Sequence, residues 1–214
     1  STTLFKALIC LKTRNPVIFS FHPSAQNCSA EAARVVYEAA VAAGAPKDCI
    51  LWIENPSMEK SGLLMNHPDV AVVLATGGSG MVKAAYSTGK PALGVGPGNV
   101  PSYIEKTARI KQAVNDVILS KAFDNGMICA TEQNVIVLDG VYDAVKAEFQ
   151  KRGAYFLNPE EADKVGNIVI VNGGVNAKMV GQPATKIAAA AGVEVPAWTK
   201  ILIGETDSIE PSNP

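Results

Sequence analysis

At 214 residues the chain can build one large domain or two small ones, and 48% hydrophobic with 18% charged residues is a globular balance that excludes intrinsic disorder. Nineteen basic residues against twenty acidic ones give a net charge of −1 with no basic block, so no nucleic-acid footprint is indicated. No apolar run reaches the length of a membrane span, Ser1–Lys6 is not a secretory signal, and four scattered cysteines with two histidines argue against a zinc site; free thiols in a reducing cytoplasm are expected, with no metal.

The chain lacks an initial methionine and opens almost at once on a helix-like pattern (Leu4, Phe5, Leu8, Ile9, Leu11), as expected of a piece of something longer. Pro16–Phe21 reads as a short apolar strand, followed by an alanine-rich helix from Ala30 to Ala43 that Gly44 and Pro46 end. Ile50–Ile53 is the next strand, and Met58–Met65 a helix stopped at His67-Pro68. Val70–Ala75, the strongest buried strand, runs into Thr76-Gly-Gly-Ser-Gly80 and a helix from Met81 to Tyr86, with a short strand at Ala92–Val95. Strands that alternate with helices and lack polar alternation predict an α/β fold with a parallel sheet covered on both faces. A Gly/Pro-rich hinge, Gly94–Pro101, then divides the chain into expected domains 1–97 and 98–214. A second alternation follows: a strand near Ser102, helix 108–121, strand Val135–Leu138, helices at 141–152, 160–172 and 182–191, and a strand at Lys200–Ile203. No structure is expected for the tail Glu210–Pro214.

Cys129 lies in Phe123–Gln133, after helix 108–121 and the turn signal Asp124-Asn125-Gly126. A partly exposed thiol near backbone dipoles has a pKa drawn toward neutrality, and its thiolate forms thiohemiacetals and thioesters that can be passed on. A cysteine between two elements is also often inert packing, and the residues alone leave both readings open. Thr76, Gly77 and Gly78 follow a buried strand and open a helix, where backbone N–H groups and the helix dipole favour an anionic or nucleotide ligand. The duller reading is a tight turn that needs glycine for steric reasons. The segment is no P-loop, because Lys90 precedes Pro91 and the required upstream glycine is Ala84; nor is it the Rossmann fingerprint, whose third glycine is Lys83 here. Gly94, Gly96 and Gly98 allow a flat cofactor ring to approach the backbone, or form a hinge, or both. From Val70 to Ile104 there is no Asp or Glu, which suits a diphosphate and removes the nearest bases that would activate water. Glu132 remains available as a base or as an exposed residue entering a strand, and His22 either touches a cofactor edge or caps a loop.

The segment from Phe123 to Gln133 closely resembles the nucleophile segment of CoA-acylating acetaldehyde dehydrogenases, and within them the aldehyde dehydrogenase half of bifunctional aldehyde–alcohol dehydrogenases. Leu11–Pro16, Ala75–Ser87, Gly94–Asn99 and Thr199–Gly204 resemble the same family, so the likeness covers essentially the whole chain. The resemblance implies an aldehyde dehydrogenase-like fold, with a Rossmann-type NAD domain followed by an α/β catalytic domain, both incomplete here. By matching position Cys129 is the nucleophile, Gly77 and Gly78 line the NAD pocket and Gly96 faces the nicotinamide. Where hydrolytic members of the wider family carry a glutamate base, this chain has Gly94, so the thioester is expected to wait for CoA and not for water. The implied reaction is reversible oxidation of acetaldehyde to acetyl-CoA: Cys129 adds to the aldehyde, hydride passes to NAD, and CoA takes the acyl group. His22-Pro23-Ser24-Ala25 replaces the Lys-Pro-Ser-Glu-like signature of hydrolytic relatives, which leaves NAD over NADP resting on family habit. An oxyanion-binding asparagine is expected upstream of Ser1, and a ribose-binding glutamate beyond Pro214. The family also implies homo-oligomers, filaments in bifunctional members, and no part of an iron-dependent alcohol dehydrogenase half in these residues. The alternatives are a non-catalytic assembly module, or a hydrolytic aldehyde dehydrogenase with Glu132 as its nearby base.

Overall fold

The computed structural model describes residues 2–207; the expectation for Glu210–Pro214 lies outside them. The chain divides into two compact units, 1–96 and 97–214.

In the first unit, α1 (Thr2–Lys12) is followed by β1 (Val17–Phe19), a 3-10 turn at Pro23–Ala25 and α2 (Gln26–Ala42). Helix α2 is alanine-rich, carries the ion pairs of Arg34 with Glu31 and Glu38 on its solvent side, and ends where Gly44 adopts φ 97°. Next come β2 (Ile50–Trp52), α3 (Met58–Asn66), β3 (Val73–Thr76), α4 (Ser79–Tyr86) and β4 (Ala92–Val95). Ser57 starts α3 by accepting the N–H of Lys60. The strands pair in parallel, β1 with β2 and β3 with β4, the latter in the register Ala75 to Gly94 and Thr76 to Val95. Ala7, Phe19, Phe21, Ala33, Cys49 and Ile50 form one core, and Val73, Ala75 and Ala85 a smaller one. Lys6 reaches from α1 to the carbonyl of Leu74 at 2.6 Å, and burial holds its ammonium below the usual lysine range.

The second unit holds β5 (Val100–Ile104), α5 (Ile110–Ala122), a 3-10 turn at Phe123–Gly126, β6 (Glu132–Val137), another at Asp139–Val141, and α6 (Tyr142–Lys151). It continues with β7 (Ala154–Leu157), α7 (Pro159–Val169), β8 (Ile170–Val171), β9 (Gly174–Val175), α8 (Ala184–Ala190) and β10 (Ile201–Gly204). β5 pairs with β6 and β7 with β10, both parallel, while β8 and β9 form an antiparallel hairpin. Helices α5 and α6 close over these strands through Ile104, Val114, Val117, Ile118, Val145, Phe149 and Ile201. Arg152 at the end of α6 fastens the two helices: Nε donates to Glu148 at 2.5 Å and Nη1 to Asn115 at 2.9 Å.

Several expectations shift. The strand expected from Val70 begins at Val73, leaving Ala71 and Val72 exposed. The helix expected over 160–172 stops at Val169, because Asn172 and Gly173, both at positive φ, turn the chain into the hairpin. β7 was not anticipated. The strands are also not sealed on both sides: burial alternates along them, and Leu93 on β4 and Tyr103 on β5 stand 65% and 61% exposed. No helix among the described residues is long and apolar enough to cross a membrane.

Glu148 is buried, so removing its partner strands a carboxylate away from water. Arg152→Ala is expected to lower the unfolding free energy by about 2 kcal/mol, read from the urea midpoint of the intact protein.

Candidate functional site

In the first unit, the parallel pairing of β3 with β4 brings four expected ligand residues to the carboxyl ends of adjacent strands. Thr76 ends β3, the N–H of Gly77 continues the ladder to the carbonyl of Val95 at 3.1 Å, Gly78 is the N-cap of α4, and Gly96 follows β4. This end of a parallel α/β pair is where ligands characteristically bind. Thr76, Gly77 and Gly78 are exposed, and because the Met81 N–H already donates to the Gly78 carbonyl at 3.0 Å, the N–H groups of Ser79 and Gly80 are the donors that the start of α4 leaves open. No side chain caps α4 and no acid stands in its first turn. A β-carbon at Gly78 or Gly96 would have no atom within 4 Å. A phosphate-bearing cofactor fits such a turn.

Gly94 is different. A β-carbon there would fall 2.6 Å from Val82 Cγ1 and 2.7 Å from Tyr86 Cε2, and its N–H donates to the Tyr86 hydroxyl at 3.0 Å. The glycine lets α4 lie directly on β4, a packing duty that sequence spacing alone did not separate from ligand contact. His22 is exposed after β1 and works locally: its Nδ1 accepts the Ser24 N–H at 3.2 Å and lies 2.7 Å from the Ser24 hydroxyl.

In the second unit, Cys129 is an exposed free thiol in the turn between α5 and β6, not a packed side chain. Three consecutive residues before it, Asp124, Asn125 and Gly126, have φ of 51°, 50° and 73°. Two of them are not glycine, and such conformations persist only where surroundings enforce them. The supports are visible. Thr131, buried at 3% exposure, donates its hydroxyl to the Ile128 carbonyl at 2.9 Å. Asn125 Nδ2 donates to the Gly181 carbonyl at 3.0 Å. A β-carbon at Gly98 would fall 2.0 Å from the Cys129 carbonyl oxygen. Sequence reading gave Gly98 to cofactor approach, a hinge or both and did not single out Gly181, since neither contact leaves a local signal.

A shallow cavity of about 270 Å³ adjoins this turn, lined by Leu119, Ser120, Phe123, Ile128, Ala130 and Thr131. Glu132, the candidate base, starts β6 opposite Val100 with its Oε2 buried and without a hydrogen-bond partner among the described residues. Its charge acts on Lys121, whose pKa burial lowers and Glu132 partly restores; Lys121 Nζ donates to Gln133 at 3.1 Å.

The aldehyde dehydrogenase family model matches residues 2–195. The chain belongs to the aldehyde dehydrogenase family. It is 57% identical over its whole length to the bifunctional aldehyde-alcohol dehydrogenase AdhE of Escherichia coli, and spans about a quarter (24%) of that relative. Among solved structures it resembles an acetylating aldehyde dehydrogenase from Geobacillus thermoglucosidasius, with a TM-score of 0.93 and 53% identity over 98% of this chain and 46% of that one. A Rhodopseudomonas palustris propionaldehyde dehydrogenase, solved with bound CoA and an acylated cysteine, matches with a TM-score of 0.84 and 34% identity over 92% of this chain and 45% of that one. The aldehyde dehydrogenase-like α/β fold expected from the sequence is therefore the fold observed.

The glycines separate experimentally. Gly94→Ala is expected to cost about 1–3 kcal/mol by overpacking α4 against β4. Gly96→Ala should leave stability within about 0.5 kcal/mol yet weaken NADH binding. Thermal unfolding beside NADH titration of the full-length protein checks both.

Proposed function

We propose that this chain carries the acyl-transfer half-site of a CoA-acylating aldehyde dehydrogenase, one that interconverts acetaldehyde and acetyl-CoA with NAD. The observation that carries the reading is the exposure of Cys129 on a braced turn, where an inert packing cysteine would be buried. The acetylating relative, and the CoA-bound relative with its acylated cysteine, support the same chemistry.

Cys129 Sγ, as thiolate, forms a bond to the aldehyde carbonyl carbon, and the oxygen gathers the negative charge. A bound nicotinamide would supply the acceptor for the hydride that this carbon gives up. The carbonyl re-forms as a thioester on Cys129, and the CoA thiolate then attacks it, expelling the Cys129 thiolate with acetyl-CoA as product. The reverse sequence reduces acetyl-CoA. Gly77, Gly78 and Gly96, with the open N-terminal end of α4, would hold the cofactor phosphates and ring; Thr76 and His22 complete the proposed set. Gly94 contributes by what it excludes, because the space beside its α-carbon is filled by Val82 and Tyr86. The hydrolytic alternative is disfavoured because no carboxylate stands at Gly94 and none occurs from Val70 to Ile104. Homo-oligomers, and filaments in a bifunctional parent, belong to this proposal as family properties.

Cys129→Ala in the full-length protein is expected to lower acetyl-CoA reduction by several orders of magnitude while NADH still binds. Steady-state turnover beside NADH fluorescence titration tests this. Near-normal turnover would falsify the assignment.

A further inference from the structure

The Cys129 turn is too strained to define its own shape, so something outside it must. Residues 124–126 occupy the left-handed region in succession, and Asp124 and Asn125 have β-carbons that make this costly. Two bare α-carbons from distant parts of the second unit touch the turn where it matters. The first is Gly98, whose missing β-carbon would overlap the Cys129 carbonyl oxygen at 2.0 Å and its carbonyl carbon at 2.9 Å. The segment bearing Gly98 is itself tied to the strand that follows the nucleophile: Asn134 Nδ2 donates to Asn99 Oδ1 at 2.7 Å, and Val100 pairs with Glu132. The second is Gly181, at φ 71°, where a β-carbon would lie 2.4 Å from Met127 Sδ. The Gly181 carbonyl accepts the Asn125 amide at 3.0 Å, at one of the strained positions.

We propose that Gly98 and Gly181 are positioning residues which seat the Cys129 turn and so fix where its thiol stands. The proposal rests on the reading of Cys129 as nucleophile, and it goes beyond that reading by assigning the thiol's placement to two residues that meet neither substrate nor cofactor in it. A methyl group at Gly98 has backbone, not a flexible side chain, to displace. The Cys129 carbonyl must therefore move, and the thiol moves with it. At Gly181 the added methyl meets Met127 and also strains a left-handed residue. Displacement of a reacting group by about 1 Å costs on the order of 100-fold in rate.

The test uses the full-length protein with Gly98→Ala, Gly181→Ala and, as control, Gly140→Ala, where a β-carbon would meet nothing within 4 Å. Two readouts are taken: kcat and KM for acetyl-CoA reduction by NADH, and the iodoacetamide alkylation rate of each cysteine by peptide mapping. Expected is a kcat lower by about 100-fold in Gly98→Ala and Gly181→Ala, an NADH KM within about twofold, and a Cys129 alkylation rate changed at least about tenfold. Amide hydrogen exchange at the buried Val114, Val145 and Phe149 of the same unit, followed alongside, should stay as slow as in Gly140→Ala, since a merely loosened fold would speed it. Wild-type kcat and wild-type Cys129 alkylation in both alanine variants would overturn the proposal. If exchange at these core residues quickens in both, Asn125→Gly decides: it removes the amide bond to Gly181 without adding atoms or straining φ. A kcat lower by about tenfold then supports the seating, and an unchanged one overturns it. Failure of the nucleophile reading looks different. Cys129→Ser would then retain turnover, while the alkylation ratios would still report whether the turn is seated.

Discussion

A reactive thiol needs a fixed address and an open approach, and these requirements conflict. An exposed loop residue has few neighbours to hold it. The second unit resolves the conflict by bracing the backbone on either side of Cys129 while leaving the residue itself exposed. Behind the turn stands α5, anchored by Val114, Val117 and Ile118 in the main core and fastened to α6 through Arg152, Glu148 and Asn115. Ahead of it stands β6, held to β5 along its length. Between these rigid elements, the strain of Asp124 and Asn125 is sustained by the contacts with Gly181, Gly98 and Thr131. Each left-handed non-glycine residue costs about 1–3 kcal/mol, so the turn keeps its shape only while the bracing is complete.

Much of this was legible from local pattern. The helix before Cys129 and the strand after it follow from apolar spacing, and the turn from Asp124-Asn125-Gly126. The exposure of the Cys129 thiol was not legible from local pattern, because it depends on the packing of segments distant in sequence. The roles of Gly98 and Gly181 were not legible: each is a contact across the fold, and a glycine's missing atom has no sequence signature of what it makes room for. The hairpin of β8 and β9 is a different kind of miss. Asn172-Gly173 is a strong turn signal, but it was absorbed into a helical pattern that continued apolar to Val171. β7 was missed because four residues between two helices give too short a run for periodicity to register.

In the first unit, the same economy of glycine serves opposite purposes at neighbouring positions. Gly78 and Gly96 are open, with no atom awaiting a β-carbon, whereas the space at Gly94 is already taken by α4. Burial agrees with that division: Val73 and Ala75 face inward on β3, while Thr76 and the turn after it are exposed. The absence of Asp and Glu from Val70 to Ile104 then has two physical consequences. An anionic ligand meets no carboxylate from this stretch, and on the proposed function the stretch offers no base to compete with CoA for the thioester.

The packing at Gly94 gives that second consequence a structural basis deeper than one residue's identity. A side chain there must displace Val82 or Tyr86, and moving Tyr86 forfeits the hydroxyl that accepts the Gly94 N–H. Helix α4 would have to lift from β4, and its first turn is the one proposed to hold the cofactor. Installing a water-activating carboxylate at this position therefore disturbs the cofactor site in the same step.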